Sequence, residues 1–252
     1  MRRTLVALSA AAALLAVSAA PAAANHSWGV HWARTANPFT IKLGDNLTTD
    51  WKAFLGHASR DWSANLYGNP VRTAVVPGAT TGRKCRPTPG QAEVCNARYG
   101  YTQWLGVASV WASGGHITQA TVKVNDTYYS SSYYNTSIWR AAVVCQEVGH
   151  VFGLGHQDES GADFHTCMDY ADNPDADNTQ PNRHDYEMLA SIYSHPDSFT
   201  TIGSAVAGGS GRGLRRIDDD LWVEDLGQGR KRFVHVYWLN PERRHHHAPD
   251  EA

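Results

Sequence analysis

From residue 48 onward the chain switches between two hydrophobic periods. Thr48, Thr49 and Asp50 offer N-cap side chains, and Trp51, Phe54, Leu55, Ala58 and Trp62 then recur at helical spacing. That pattern predicts an amphipathic helix ending near Gly68 and Pro70. Residues 71–76 read as a short strand before a Gly/Pro-rich turn, and residues 80–100 as a polar, turn-rich loop. Two strand-like stretches follow at 104–111 and 117–124. In the second, Ile117, Gln119, Thr121 and Lys123 alternate with Thr118, Ala120, Val122 and Val124. Residues 128–134 form an aromatic, serine-rich loop. A second helix is predicted over 137–152, capped by Thr136 or Ser137. A third is predicted over 183–193, where Tyr186, Leu189, Ile192 and Tyr193 share a helical face.

The two ends of the chain read differently. Arg2 and Arg3 precede an apolar run over 5–17, and Ala22, Ala23 and Ala24 supply small residues for a signal peptidase. Residues 1–24 are therefore expected to be a secretory signal peptide, cut after Ala24. No later stretch is long and apolar enough to span a bilayer, so a secreted, extracellular, soluble protein is expected, with no membrane partner. A main domain over 25–200 is followed by a Gly/Ser-rich linker over 201–213. Residues 221–226 and 230–238 then flank Gly227-Gln228-Gly229, which reads as a β-hairpin within an extension over 214–252. A lone hairpin is marginal, so it is expected to pack on the main domain. The tail from residue 243 reads as disordered, and its His245, His246 and His247 are at most a weak metal-binding run.

Composition narrows the function. With 252 residues, 42% hydrophobic, 18% charged and a net charge of -2, the chain is an ordinary folded protein. It lacks the basic surface that phosphate neutralisation requires, which excludes a nucleic-acid binder of that kind. A monomer is expected. Nine Trp and 11 Tyr can build a core with polar handles or line a groove for an extended ligand. In an exported protein four cysteines suggest two disulfides, with three connectivities open. The sequence-nearest pairs, Cys85–Cys95 and Cys145–Cys167, are favoured over a zinc–thiolate site because neither pair has close C-x-x-C spacing.

The chemistry concentrates in residues 145–158, Cys-Gln-Glu-Val-Gly-His-Val-Phe-Gly-Leu-Gly-His-Gln-Asp. On a helix, Gln146 and His150 lie on one face, and Glu147 flanks it. Gly153 can take positive φ, end the helix and turn the chain back, bringing His156 towards His150. Two imidazoles, a carboxylate and a fourth side chain then converge on a volume suited to a divalent metal.

This segment, with Cys167-Met168-Asp169-Tyr170 downstream, resembles the metzincin zinc-peptidase signature H-E-x-x-H-x-x-G-x-x-H and its Met-turn. The resemblance is to secreted bacterial matrixin-like proteins, and Met-x-Tyr is the form seen in astacin- and serralysin-like members. It implies an α+β fold, a twisted mixed β-sheet with about three helices, here followed by the C-terminal hairpin. It further implies one zinc ion on His150 and His156, with Met168 in the Met-turn and a protein or peptide as substrate. Glu147 would be the general base for a metal-bound water, Tyr170 would reach the metal or steady the oxyanion, and the strand at 104–111 would pair with extended substrate.

The departure is Gln146, which stands where the family has its first zinc-binding His. An amide oxygen is a poorer ligand than imidazole. Gln146 could coordinate weakly, or Tyr170, Asp158, His165 or His184 could complete the site. Otherwise the chain is an inactive, metal-free binding protein on the same fold. A disulfide between Cys145 and Cys167 would tie the ligand helix to the Met-turn. A thermolysin-like site with Glu187 as ligand is opposed by Gly153, His156 and Met168. Asp172, Asp175 and Asp177 could take calcium but match no complete EF-hand loop, so a solvated loop is expected.

Overall fold

A computed structural model describes residues 26–158, 162–169, 174–204 and 213–239. The signal-peptide reading, Tyr170, Asp172, most of the linker and the histidine-bearing tail lie outside them. Within them the fold is α+β: a mixed nine-stranded sheet and three α-helices. No helix of the described residues is long and apolar enough to cross a membrane.

One half of the sheet is parallel. Strand β1 (His31–Trp32) pairs with the start of β6 (His116–Asn125), and β4 (Ala92–Ala97) pairs with the rest of it. Next come β2 (Phe39–Asn46) and β3 (Val71–Pro77). The other half is antiparallel: β5 (Trp104–Ser113) lies on the far side of β6, followed by β9 (Arg230–Trp238), β8 (Leu221–Gly227) and β7 (Leu214–Arg216). The C-terminal hairpin thus continues the main sheet instead of resting on it.

The first helix, α1 (Thr49–Trp62), buries Trp51, Leu55, Ala58 and Trp62, the face its sequence spacing marked, and stops at Trp62, before the expected boundary. Helix α2 (Ser137–His150) starts at Thr136, whose hydroxyl accepts the Trp139 N–H at 3.1 Å, and α3 (Arg183–Ile192) starts in a capping box of Asn182 and Asp185. Helices α1 and α2 pack together against the sheet, with Val143, Val144 and Val148 of α2 in the main core. Tryptophans fill that core and use their single N–H on helix ends and loops: Trp62 Nε1 donates to the Cys145 carbonyl at 3.0 Å, and Trp32 Nε1 to that of Val151 at 2.9 Å.

Three strands of the parallel half escaped the sequence reading, the two-residue β1 and the longer β2 and β4. In β2 the alternation of Phe39, Ile41 and Leu43 is sound, but Asn37-Pro38 before it and Gly44-Asp45-Asn46 after it read as turns. In β4, which lies in the stretch expected to be a loop, Glu93 and Asn96 are buried alongside Ala92, Val94 and Cys95, so no alternation marks it. Neighbours on both sides justify that burial. Glu93 accepts from Asn46 Nδ2 and Gln91 Nε2, each at 2.6 Å. Both expected disulfides are present, Cys85–Cys95 and Cys145–Cys167.

The antiparallel half has two apolar faces. Val234, Val236 and Trp238 of β9 join Trp104, Val107 and Trp222 in a separate cluster, whereas Phe233 and Tyr237 belong to the main core. The two-residue strand period therefore turns Phe233, His235 and Tyr237 towards α2.

Helix α2 sits close to its neighbours at Gly149. A Cβ there would lie 2.7 Å from Trp62 Cζ2 and collide with Met168 Sδ, whereas one at Gly56 of α1 would meet only Arg60 Nη1 at 4.0 Å. Gly56→Ala is expected to stabilise the protein by up to ~1 kcal/mol through helix propensity. Gly149→Ala is expected to destabilise it, because overpacking costs about 1–3 kcal/mol. Urea denaturation of the pair checks this, and equal stabilities would refute the packing account.

Candidate metal centre

The centre begins at the last turn of α2. Gln146, Glu147 and His150 are all buried there. The helix ends at His150, and Gly153 takes φ +89°; any side chain on it would strike the Val30 carbonyl, so glycine is required. The reversed chain places the Leu154 carbonyl 2.9 Å from His150 Nδ1 and brings the His156 ring to 5.0 Å from the His150 ring, centroid to centroid.

The third imidazole is one that sequence reasoning missed. His235 of β9 lies with its ring 3.9 Å from that of His150 and 4.8 Å from that of His156. One ring nitrogen from each of the three lies within 4.8 Å of the others. In the β5–β9 register His235 faces Ala108, and Gly106 is two positions along β5. A Cβ on Gly106 would stand 2.7 Å from Glu147 Oε1, so the small residues of β5 make room for this cluster. No fixed offset links residue 235 to the motif. The available signal was a polar ring on the inward face of a strand, between Phe233 and Tyr237.

Each imidazole has its Nδ1 against an acceptor. His150 Nδ1 meets the Leu154 carbonyl, His156 Nδ1 lies 3.3 Å from Asp220 Oδ2, and His235 Nδ1 lies 3.1 Å from Glu147 Oε2. An acceptor at Nδ1 favours the tautomer with its proton there and leaves Nε2 with a lone pair. Nε2 of His150 and of His235 has no hydrogen-bond partner among the described residues. Burial, with His235 and His156 alongside, pushes the His150 pKa well below the usual histidine range, keeping it neutral. Burial also raises the Glu147 carboxyl, opposed by the adjacent His235. Three buried imidazoles, each with a carboxylate or carbonyl partner at Nδ1, fit a zinc-type divalent ion.

The other candidates go elsewhere. The Gln146 amide nitrogen donates to the carbonyls of Cys167 at 2.9 Å and Asp169 at 2.7 Å, holding the turn at 167–169 against α2; its oxygen is buried with no hydrogen-bond partner among the described residues. Asp158 bridges to Asp169 through the backbone, and its Oδ2 accepts from the Ala162 N–H at 3.0 Å. Met168 is fully buried beneath Gly149. His165 is exposed and pairs with Asp163, and His184 stacks near His26 at 5.0 Å. Glu187 is exposed and paired with Arg183 at 2.7 Å. Asp175 accepts from the Asp177 N–H at 2.7 Å in a local turn, as a solvated loop does.

The three histidines share a cavity of about 360 Å³ with Trp28, Leu221 and Phe233. Trp28 stacks on His150 at 4.9 Å, and Phe233 on Trp28 at 5.9 Å, giving one side an aromatic wall. Glu147 is not part of that wall; it bears on His235 from behind.

If His235 is a ligand, His235→Ala and His150→Ala each remove one zinc per chain. Glu187→Ala removes none, and Gln146→Ala weakens zinc far less than His235→Ala does. Elemental analysis and competition titration check this in a full-length mature chain with His245, His246 and His247 replaced by Gln. Zinc kept in His235→Ala but lost in Gln146→Ala would assign the third position to Gln146.

No protein-family model matches the chain, and no curated protein is similar to it. Among solved structures the chain is similar to myroilysin, with 13% identity and a TM-score of 0.37 over 65% of this chain and 96% of that one.

Proposed function

We propose that this protein is a secreted zinc-dependent endopeptidase of metzincin type, with His150, His156 and His235 as its metal ligands. The observation that carries the reading is the convergence of three buried ring nitrogens, each imidazole backed at Nδ1, on the wall of one cavity. The resemblance of residues 145–170 to the metzincin signature supplies the reaction class. Zinc, when bound, supplies Lewis acidity, polarising a carbonyl and letting water lose a proton near neutral pH.

The chain's own residues do the rest. Glu147 holds His235 through Oε2, and its Oε1 is buried with no hydrogen-bond partner among the described residues. The resemblance makes Glu147 the proton carrier, and from behind the cavity wall its carboxylate also orients the His235 ring. Trp28 and Phe233 offer apolar surface to a substrate side chain, and the Cys145–Cys167 bridge ties α2 to the Met-turn.

One observation favours the second reading, an inactive binding protein. Strand β9 pairs with β5 from Trp104 to Ser113, taking the edge on which an extended peptide was expected to add. Among the described residues, the cavity lined by the three histidines is the approach that this arrangement leaves to substrate.

The test uses the zinc-loaded, full-length mature protein and an unfolded casein substrate. The peptidase reading expects cleavage that a chelator abolishes and zinc restores, with Glu147→Ala slower by ~10²–10⁴-fold. Zinc-replete protein without turnover would establish the binding reading. Cleavage surviving Glu147→Ala would refute the role given to Glu147.

A further inference from the structure

A second set of imidazoles surrounds one carboxylate on another part of the fold. Parallel pairing of β1 with β6 sets His31 directly beside His116, with ring centroids 4.9 Å apart. The loop after α3 adds His195, whose ring is 5.0 Å from that of His31, and Asp197. Three Nε2 atoms point to one oxygen: Asp197 Oδ1 lies 3.2 Å from His116, 3.4 Å from His31 and 3.9 Å from His195.

The carboxylate is held in place for this. Its other oxygen, Oδ2, accepts from Arg34 Nη1 at 2.8 Å and from the Arg34 backbone N–H at 3.1 Å, and the Asp197 N–H returns a bond to the Arg34 carbonyl at 2.8 Å. Arg34 is buried, and its Nη2 donates to the Tyr193 carbonyl at 2.8 Å and to that of His195. Burial would raise the Asp197 carboxyl, but the Arg34 and His31 hydrogen bonds hold it down to about 2, so it is ionised.

We propose that His31, His116 and Asp197, whose ligand atoms lie within 4.8 Å of one another, form a second metal site, for a zinc-class divalent ion, that clamps β1 to β6 and to the loop following α3. The spacing supports this. Tetrahedral zinc with bonds of ~2.0–2.1 Å sets its ligand atoms ~3.4 Å apart. The Nε2–Oδ1 separations of His116 and His31, 3.2 and 3.4 Å, lie close to that value. Two imidazoles and one carboxylate supply three positions of a four-coordinate shell and leave the fourth to water or to His195, whose ring lies 5.0 Å from that of His31. Bound metal would replace the histidine–aspartate hydrogen bonds with a crosslink between three segments. One of them, β1, follows directly on Trp28, which walls the cavity of the His150 cluster.

The test is zinc content and affinity of the full-length mature chain carrying His245→Gln, His246→Gln and His247→Gln. His31→Gln and His116→Gln are each expected to lose one ion per chain. Both positions are partly exposed, and glutamine keeps a hydrogen-bonding amide there. Removing a backing group from a metal ligand typically costs 10–100-fold in affinity, so loss of a ligand is expected to cost more than ~100-fold. With the His150 site also loaded, the parent holds two ions, and His150→Ala with His116→Gln holds none. If the His150 reading fails, the parent holds one ion, lost in His116→Gln and kept in His150→Ala. Zinc content and affinity unchanged in both His31→Gln and His116→Gln would overturn the proposal and leave a hydrogen-bonded cluster.

Discussion

The pairing of β9 with β5 is the constraint on which the His150 centre depends. It fixes His235 opposite Ala108, and strand periodicity turns that imidazole towards the last turn of α2. A slip of one residue would point Val234 or Val236 inward and take the ring out of the cluster. The register is held from both faces: Phe233 and Tyr237 pack into the main core, and Val234, Val236 and Trp238 pack with Trp104, Val107 and Trp222 outside. The same pairing removes the open edge of β5. One contact therefore completes the histidine cluster and leaves β5 paired on both sides.

Gathering this much polar chemistry in a core is costly, and the structure shows how the cost is met. Glu147, His150 and His235 are almost fully buried, where an isolated charge would be strongly disfavoured. Burial favours the neutral form of both His150 and Glu147, and each Nδ1 has an acceptor. The unpartnered Nε2 atoms of His150 and His235 are the remainder. Buried polar atoms without partners are rare in native proteins, and a ligand is a physical reason for tolerating them.

Gln146 illustrates how one position can change its task within a motif. A histidine there would present an imidazole to the metal. The glutamine instead uses its amide nitrogen as a strap, binding the carbonyls of Cys167 and Asp169 beside the Cys145–Cys167 bridge. The ligand face of α2 is thus anchored from below by Gln146, the disulfide and Met168, while His235 approaches from the sheet. In this geometry Glu147 also gains a task, because its carboxylate orients His235.

What the sequence determined by itself was local. The amphipathic faces of α1 and α3, the extent of α2, the turn at Gly153, the closeness of His150 and His156, the two cysteine pairs and the hairpin around Gly227 and Gly229 all follow from short-range spacing and backbone preference. Strands β2 and β4 were obscured because turn-forming residues border one and buried polar residues fill the other. Tertiary structure alone decided where the hairpin docks, that its His235 joins the His150 cluster, and that His31, His116, His195 and Asp197 meet at a distance from the motif. The physical reason is that helix and turn geometry are encoded within a few residues, whereas strand pairing brings together positions whose separation along the chain carries no periodic trace.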